Sequence, residues 1–352
     1  MIALAEVLRR HWPAYEQQFG ARLLPSHKRA VQALLSCHTP SLGGHLYRCD
    51  CGRFHYSYHS CHHRACPQCG HAHTELWLQK RRRQLLPLPY YLVTFTVPQE
   101  LRASFRTHQT FCYDALLRQS AGALLDGARA HKNLRAHIGL LALLQTWTRD
   151  LRYHPHVHCI VPAGGLSTDG LRWLRPKDAD YFLPQRVLAA RFRTRLKAAL
   201  CSQPAILAQI PSRVWQADWV VDVQKVGNGQ AVLKYLGAYM YRSAFSSQKI
   251  VADEGQFITF AWRDNQKRQR TTRLKAQAFL HRYLQHVLPK GFQRVRYFGW
   301  LSPAARKRWE RIVALLDCNV PALKLPAQLP PPECPVCQRP MIWVARLPRA
   351  PP

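Results

Sequence analysis

The chain is expected to fold as an α+β protein, with a mostly antiparallel central sheet flanked by helices and a small metal-knitted module in front of it. Three observations predict this. Cysteine and histidine crowd residues 37–73 in a stretch too irregular for a long element. Runs such as Tyr90–Val97 are β-branched and aromatic, bounded by prolines, and read as buried strands. Strands and helices then follow one another irregularly, not as a βαβ series, which favours antiparallel pairing.

Each element has a local reason. Ala3, Leu4, Val7, Leu8 and Trp12 fall on one helical face within residues 3–19. After the Cys/His stretch, HTELWLQKRRRQLL is a basic helix stopped by Pro87 and Pro89. Helical patterns are expected across roughly 100–150, with the apolar run Ile138–Leu144 as a core helix fragment. HPHVHCIVPAGGLS is a strand ending in a Gly-Gly turn, and LSTDGLRWL supplies a second strand after an Asp-Gly turn. PQRVLAARFRTRLKAAL is a basic amphipathic helix, DWVVDVQKV a strand, GNG a turn and QAVLKYLGAYMYRSAF a helix. QFITFAWRDNQKRQRTTRL looks like a hairpin, and AQAFLHRYLQHVL a helix capped by Pro289 and Gly291. VPALKLPAQLPPPE is a proline-rich linker to a final Cys-Pro-Val-Cys and a frayed tail. The expected divisions are 1–86 for the N-terminal helix and zinc-binding domain, 87–318 for the sheet domain with its basic helices, and 319–352 for linker and tail.

Charge narrows the function. Of 352 residues, 51 are Lys or Arg and 19 are Asp or Glu, a formal balance of +32 with 18 His besides. Such a chain repels itself until a polyanion neutralises it, so nucleic acid is the default partner. With 47% hydrophobic residues it can bury a core, which excludes a disordered basic tail. No apolar run reaches the ~18 residues of a membrane span, and MIALAEVLRRHW carries no export signal. A soluble, intracellular, polyanion-binding protein is expected.

Twelve cysteines in such a chain are ligands or core residues, not disulfides. Cys66-Pro-Gln-Cys69 is a knuckle whose two thiolates can meet one tetrahedral zinc, and Cys49-Asp-Cys51 is one residue shorter. Together these four make a structural zinc site. Cys37, His45 and Cys61 are left for a second, fused or alternative site. Cys334-Pro-Val-Cys337 supplies half a site, which either takes unused N-terminal ligands or is two thiols in a tail. Cys112, Cys159, Cys201 and Cys318 stand among apolar neighbours and read as core.

His156-Val157-His158 carries the chemistry. On a strand the two imidazoles share a face while Val157 enters the core, so they offer two ligands to a divalent cation. Against this stands the reading that they are hydrogen-bonded or surface histidines. Tyr235 and Tyr239, one helical turn apart, share a face as well. Two phenols usually just pack; beside a cation that polarises a phosphate, a phenol is a suitable nucleophile for a phosphodiester. His154 and Gln230 are candidates for a third ligand. The basic clusters Lys80–Arg83, Arg186–Lys197, Lys267–Arg273 and Arg306–Arg311 can contact phosphates. Trp173, Tyr181, Phe182, Phe192 and Trp262 could stack unpaired bases.

Taken in order, the zinc cluster, PYYLVTFTVP, QTWTRDLRYHPHVHCIVPAGGLS, LKYLGAYMYRSAFS and FLHRYLQHVLPKGFQRVRYFGWLS resemble a transposase of insertion-sequence family 91, over roughly residues 35–340. That family belongs to the HUH endonucleases, named for histidine–hydrophobic–histidine. The resemblance implies an HUH-like sheet domain that nicks and rejoins single-stranded DNA at mobile-element ends through a 5′-phosphotyrosine, in the rolling-circle manner. It implies His156 and His158 as ligands of a catalytic Mg2+ or Mn2+, Tyr235 and Tyr239 as nucleophiles, and structural Zn2+ in the N-terminal domain. It implies element ends and target DNA as partners, and a cytoplasmic, nucleoid-associated protein of bacterial type. Composition and cysteines fit equally a zinc-containing DNA-binding protein without catalysis, such as a repressor or a decayed transposase. Only the coexistence of the histidine strand and the tyrosine helix separates the two.

Overall fold

A computed structural model of the chain describes residues 2–69, 78, 79, 81–178, 180, 182–228, 237, 243–318 and 330–350. In chain order its main elements begin with α1 (Leu4–Phe19), α2 (Pro25–Ser36), β1 (Gly44–Arg48), β2 (Phe54–Tyr58) and β3 (Pro89–Thr96). Next come α3 (Arg102–Thr107), α4 (Gln109–Ala130), β4 (Gly139–Trp147), β5 (Tyr153–Pro162), β6 (Gly165–Leu166), β7 (Trp173–Leu174) and α5 (Gln185–Leu200). The chain closes with β8 (Val221–Asn228), β9 (Ile250–Asp253), β10 (Phe257–Arg263), β11 (Gln269–Lys275), α6 (Ala276–Leu284), β12 (Val295–Gly299), α7 (Arg306–Leu315) and β13 (Ile342–Leu347).

Two compact units result, one of residues 80–240 and 288–322, the other of 1–79, 241–287 and 323–352. The first holds a five-stranded sheet in the order β12-β4-β5-β3-β8, antiparallel throughout. Strand alternation decides what each face does. Val157, Cys159 and Val161 of β5, with Val93, Phe95, Leu140, Ala142 and Leu144 from its neighbours, pack into one core with Leu116, Leu117 and Leu124 of α4 and Phe192 and Leu196 of α5. Each Val, Leu or Phe among them, fully removed from water, stabilises by roughly 1.5–3 kcal/mol. Arg195 of α5 reaches Asp126 of α4 at 2.5 Å. Gly122 permits that approach, because a Cβ there would collide with the Arg195 guanidinium.

The sheet differs from the expectation at two of its strands: β12 is a strand where none was expected, and β4 replaces an expected helix. Residues 139–147 form β4, not a helix, and eight of its nine residues are buried. A run that is apolar on both faces has neither helical nor strand periodicity, so its length and partners decide. Here β5 and β12 flank it on either side.

In the other unit, Glu6 reaches back to accept the Ala3 N–H at 2.9 Å and closes the first turn of α1. Pro25, at the first position of α2, has no N–H to leave unpaired. The expected hairpin is β10–β11, and β9 adds a third strand beside β10. His11 of α1 bonds Asp253 of β9 at 3.0 Å, and Tyr283 of α6 donates to the Ala65 carbonyl at 2.7 Å. A separate sheet, β13-β1-β2, joins both ends of the chain.

These pairings revise the expected divisions. Residues 334–347 are not a tail: β13 pairs with β1, and residues 241–287 group with the N-terminal unit instead of with the large sheet. Of the expected proline-rich linker, the part up to residue 329 lies outside the described residues. Among the described residues, no helix is long and apolar enough to cross a membrane.

Candidate active site and metal centres

His156 and His158 sit on β5, the middle strand of the five-stranded sheet, on the face opposite the helix-covered core. Both are buried, at 7% and 9% exposure. Their rings lie 4.7 Å apart between centroids and nearly perpendicular, at 89°. Hydrogen bonds at Nδ1 fix them, one made within β5 and one to the neighbouring β3. The His154 carbonyl takes His156 Nδ1 at 2.6 Å, which places the proton on Nδ1 and the lone pair on Nε2. His158 Nδ1 bonds Thr94 Oγ1 of β3 at 3.0 Å, and Thr94 stands directly opposite His158 in the ladder.

Burial holds both imidazoles neutral. It lowers His156 to about 4, against a raising bond to the His154 carbonyl and with His154 adding to the depression. It lowers His158 to about 3, with His156 adding to the effect. Neutral imidazole is the form that ligates a cation. It also sets a pH dependence: below the unfolded value near 6.5 the unfolded chain takes up protons that the native state refuses. Stability should therefore fall as pH drops from about 6.5 toward these values, by on the order of a few kcal/mol. Urea titrations across that window on protein free of added divalent cation should show a flatter slope for His156→Gln with His158→Gln than for wild type.

A third donor, not anticipated from sequence, stands beside them. Gln145 of β4 pairs directly across from His156 and is buried. Its Nε2 donates to the Trp147 carbonyl at 3.2 Å, while Oε1 has no hydrogen-bond partner among the described residues. Leaving such an oxygen dry costs about 1–3 kcal/mol, so an oxygen acceptor at this place is unexplained by packing alone. His154, the earlier candidate, is instead bonded through Nδ1 to Arg102 at 2.8 Å. Gln230, Tyr235 and Tyr239 lie outside the described residues. The nearby Tyr153 is no substitute nucleophile: it bonds Tyr113 at 2.7 Å, and burial raises its phenol far above the usual range.

The cysteines form two quartets. Sγ atoms of Cys37, Cys61, Cys66 and Cys69 lie within 4.8 Å of one another, and so do those of Cys49, Cys51, Cys334 and Cys337. Within them, Cys61–Cys69 and Cys37–Cys66 are each 3.6 Å apart, Cys49–Cys337 3.3 Å and Cys51–Cys334 3.6 Å. Tetrahedral zinc with bonds near 2.3 Å sets sulfurs about 3.8 Å apart, whereas a disulfide needs about 2.05 Å. Both quartets thus fit zinc. Backbone N–H groups of Cys337 and Val336 lower the Cys334 thiol to about 6, the knuckle arrangement that favours thiolate.

The expected quartet of Cys49, Cys51, Cys66 and Cys69 is therefore corrected: its two pairs belong to different clusters. Cys37 and Cys61 complete one, the C-terminal knuckle the other. His45 is in neither; its Nδ1 accepts the Trp343 indole N–H at 3.2 Å. Cys112 and Cys159 are core as expected, but Cys201 is exposed and Cys318 half-buried.

Among the expected stacking aromatics, Phe182 and Phe192 are core, Trp173 packs edge-on against Trp300, and Trp262 donates to Thr272; Tyr181 lies outside the described residues. The basic clusters are partly neutralised, for instance Arg268 and Arg270 by Asp264 and Arg306 by Glu310.

Comparison with known proteins agrees with this layout. The family model described as "Transposase zinc-binding domain" matches residues 7–97, and the one described as "Putative transposase" matches residues 139–308. "Putative transposase y4qJ" of Sinorhizobium fredii is 34% identical over 341 residues, covering 91% of this chain and 85% of that protein. "Transposase for insertion sequence element IS801" of Pseudomonas savastanoi pv. phaseolicola is 29% identical over 294 residues, 77% of this chain and 69% of that protein. No solved structure matches. A zinc-binding module at the N-terminus followed by this sheet domain, matched along most of its length, places the chain in the transposases of insertion-sequence family 91.

Proposed function

We propose that this transposase is an HUH-type enzyme that nicks and rejoins single-stranded DNA at the ends of its element. The observation that carries the reading is the buried, neutral imidazole pair of His156 and His158, anchored through Nδ1 on the central strand with the unsatisfied Gln145 oxygen opposite. Two imidazole nitrogens and an amide oxygen fit a divalent cation between hard and borderline, Mn2+ more closely than Mg2+. Such a cation, when bound, supplies Lewis-acid withdrawal of charge from a phosphate.

The protein's own groups do the rest. The sheet holds the imidazoles at fixed orientation, so little ordering is needed when the site fills. Tyr235 or Tyr239 attacks phosphorus through its phenolic oxygen; a P–Oη bond forms, the P–O3′ bond breaks, the phenol gives up its proton to solvent and the departing O3′ takes one up. The products are a 5′-phosphotyrosine and a free 3′-hydroxyl, and the second phenol can accept a second strand end. Each cysteine quartet holds one Zn2+, and the zinc unit and basic helices hold the DNA.

Purified protein offered a single-stranded oligonucleotide of the element's end with Mn2+ should yield a covalent adduct that survives boiling in detergent. The adduct should disappear in Tyr235→Phe with Tyr239→Phe. Normal nicking by that double variant would overturn the nucleophile assignment. Wild-type protein that binds DNA yet forms no adduct would instead support the non-catalytic DNA-binding reading.

A further inference from the structure

Among the described residues, the exposed large aromatics are Phe54, Tyr56 and Trp343, at 55%, 53% and 55% exposure. All three stand on the small sheet β13-β1-β2. Exposed apolar side chains gathered on one small element mark a contact surface. Ladder register sorts them by face. Phe54 of β2, Arg48 of β1 and Ile342 of β13 form one row, and Tyr56, Leu46 and Ala345 the next. Directly paired residues share a face, and positions two apart on a strand stand about 7 Å apart on it. Phe54, Tyr56 and Tyr58 thus form a column along β2, with the Tyr56 and Tyr58 rings 6.2 Å apart and within 20° of parallel. Trp343 belongs to the opposite face, paired with Tyr47 and bonded to His45.

The surroundings of the column are cationic. Arg48, in the row of Phe54, is exposed beside it, exposed Arg53 directly precedes Phe54, and the three strands contain no acidic residue; Asp50 lies in the turn between β1 and β2. An apolar protein partner would gain little from guanidinium groups next to its contact, whereas a nucleic acid uses both features. Rings accept bases, and arginines accept phosphates. Bases within a duplex are already stacked on each other, so only an unpaired strand can offer their faces.

We propose that the β2 face of this sheet, with Phe54 and Tyr56 as stacking platforms and Arg48 as a phosphate contact, binds single-stranded DNA. The proposal rests on the reading of the chain as an enzyme of single strands, and it locates where such a strand is held outside the histidine site. The aromatics expected from sequence are mostly committed to packing; these two take their place.

Binding of labelled oligothymidylate to the full-length, zinc-loaded chain tests it, read by fluorescence anisotropy over a range of salt. Phe54→Ala with Tyr56→Ala should weaken affinity about tenfold or more with an unchanged salt slope, because stacking releases no counterions. Arg48→Gln should instead lower the slope by about 0.7. Trp343→Ala, on the far face, should bind as wild type does. Zinc content and circular dichroism establish that each variant is folded. A folded double-alanine variant that binds like wild type overturns the platform, as does a change in its oligomeric state with DNA affinity intact, which would mark a protein interface. Should the double variant lose zinc, photocrosslinking of wild-type protein to iododeoxyuridine-substituted single strand decides: crosslinks within residues 53–58 support the proposal and crosslinks confined elsewhere overturn it. No arm depends on nicking. A wild-type chain that binds the strand but forms no adduct sinks the catalytic reading and leaves this one standing.

Discussion

His158→Ala is expected to reduce adduct formation on a single-stranded element end by about a thousandfold or more, and His156→Ala by a similar factor. Neither loss should come from unfolding alone. Each substitution empties a buried site and leaves Thr94 or the His154 carbonyl without its partner, a cost of about 1–3 kcal/mol that circular dichroism and urea titration can register separately. Gln145 separates the ligand reading from a merely structural one. Gln145→Ala should raise the Mn2+ concentration needed for half-maximal nicking by about 10–100-fold while leaving the rate at saturating Mn2+ much closer to wild type. Gln145→Glu presents a harder oxygen at the same reach and should improve use of Mg2+ relative to Mn2+. If Gln145→Ala changes neither the cation requirement nor the metal preference, the third-ligand assignment fails, and Gln145 is only the partner of the Trp147 carbonyl.

How much of this could be read from the sequence depends on how far apart the partners lie. Alternation over residues 154–161 needs only neighbours, and the structure follows it: the histidines share one face, and Val157, Cys159 and Val161 have no exposure on the other. Residues 139–147 needed more. Apolar on both faces, they carry no period, so the sequence does not separate strand from helix there, and the place of Gln145 goes undetermined with it. On a strand, one amide at a buried position across from His156 is an anomaly that points to a ligand. The cysteines show the same limit. Knuckle spacing identifies Cys66–Cys69 and Cys334–Cys337 as pairs, but which pair meets which is decided by β1 lying beside β13, a pairing of residues nearly three hundred positions apart. The place of His45 is out of reach of sequence for the same reason, since its partner Trp343 arrives on that late strand.

The C-terminal knuckle then makes a prediction about the whole N-terminal unit. Zinc released by acid or by mercurial titration should amount to two equivalents per chain. Cys334→Ser with Cys337→Ser should bring that to one, as should truncation after residue 329. Structural zinc contributes folding energy outright, with apparent binding of about 10–16 kcal/mol in isolated fingers, far above what five or six paired residues of β13 can supply. Loss of the second ion should therefore free β13 from β1, expose the Cys49–Cys51 turn and lower the melting temperature of the zinc unit by more than ten degrees or so on the scale of ~4–8 °C per kcal/mol. Cys66→Ser with Cys69→Ser should also leave one equivalent, but the one retained should be lost on the C-terminal truncation, which distinguishes two independent ions from one shared cluster. Two equivalents surviving the truncation would show that Cys49 and Cys51 find other ligands, and the C-terminal strand would lose its place as a structural member of the zinc-binding domain.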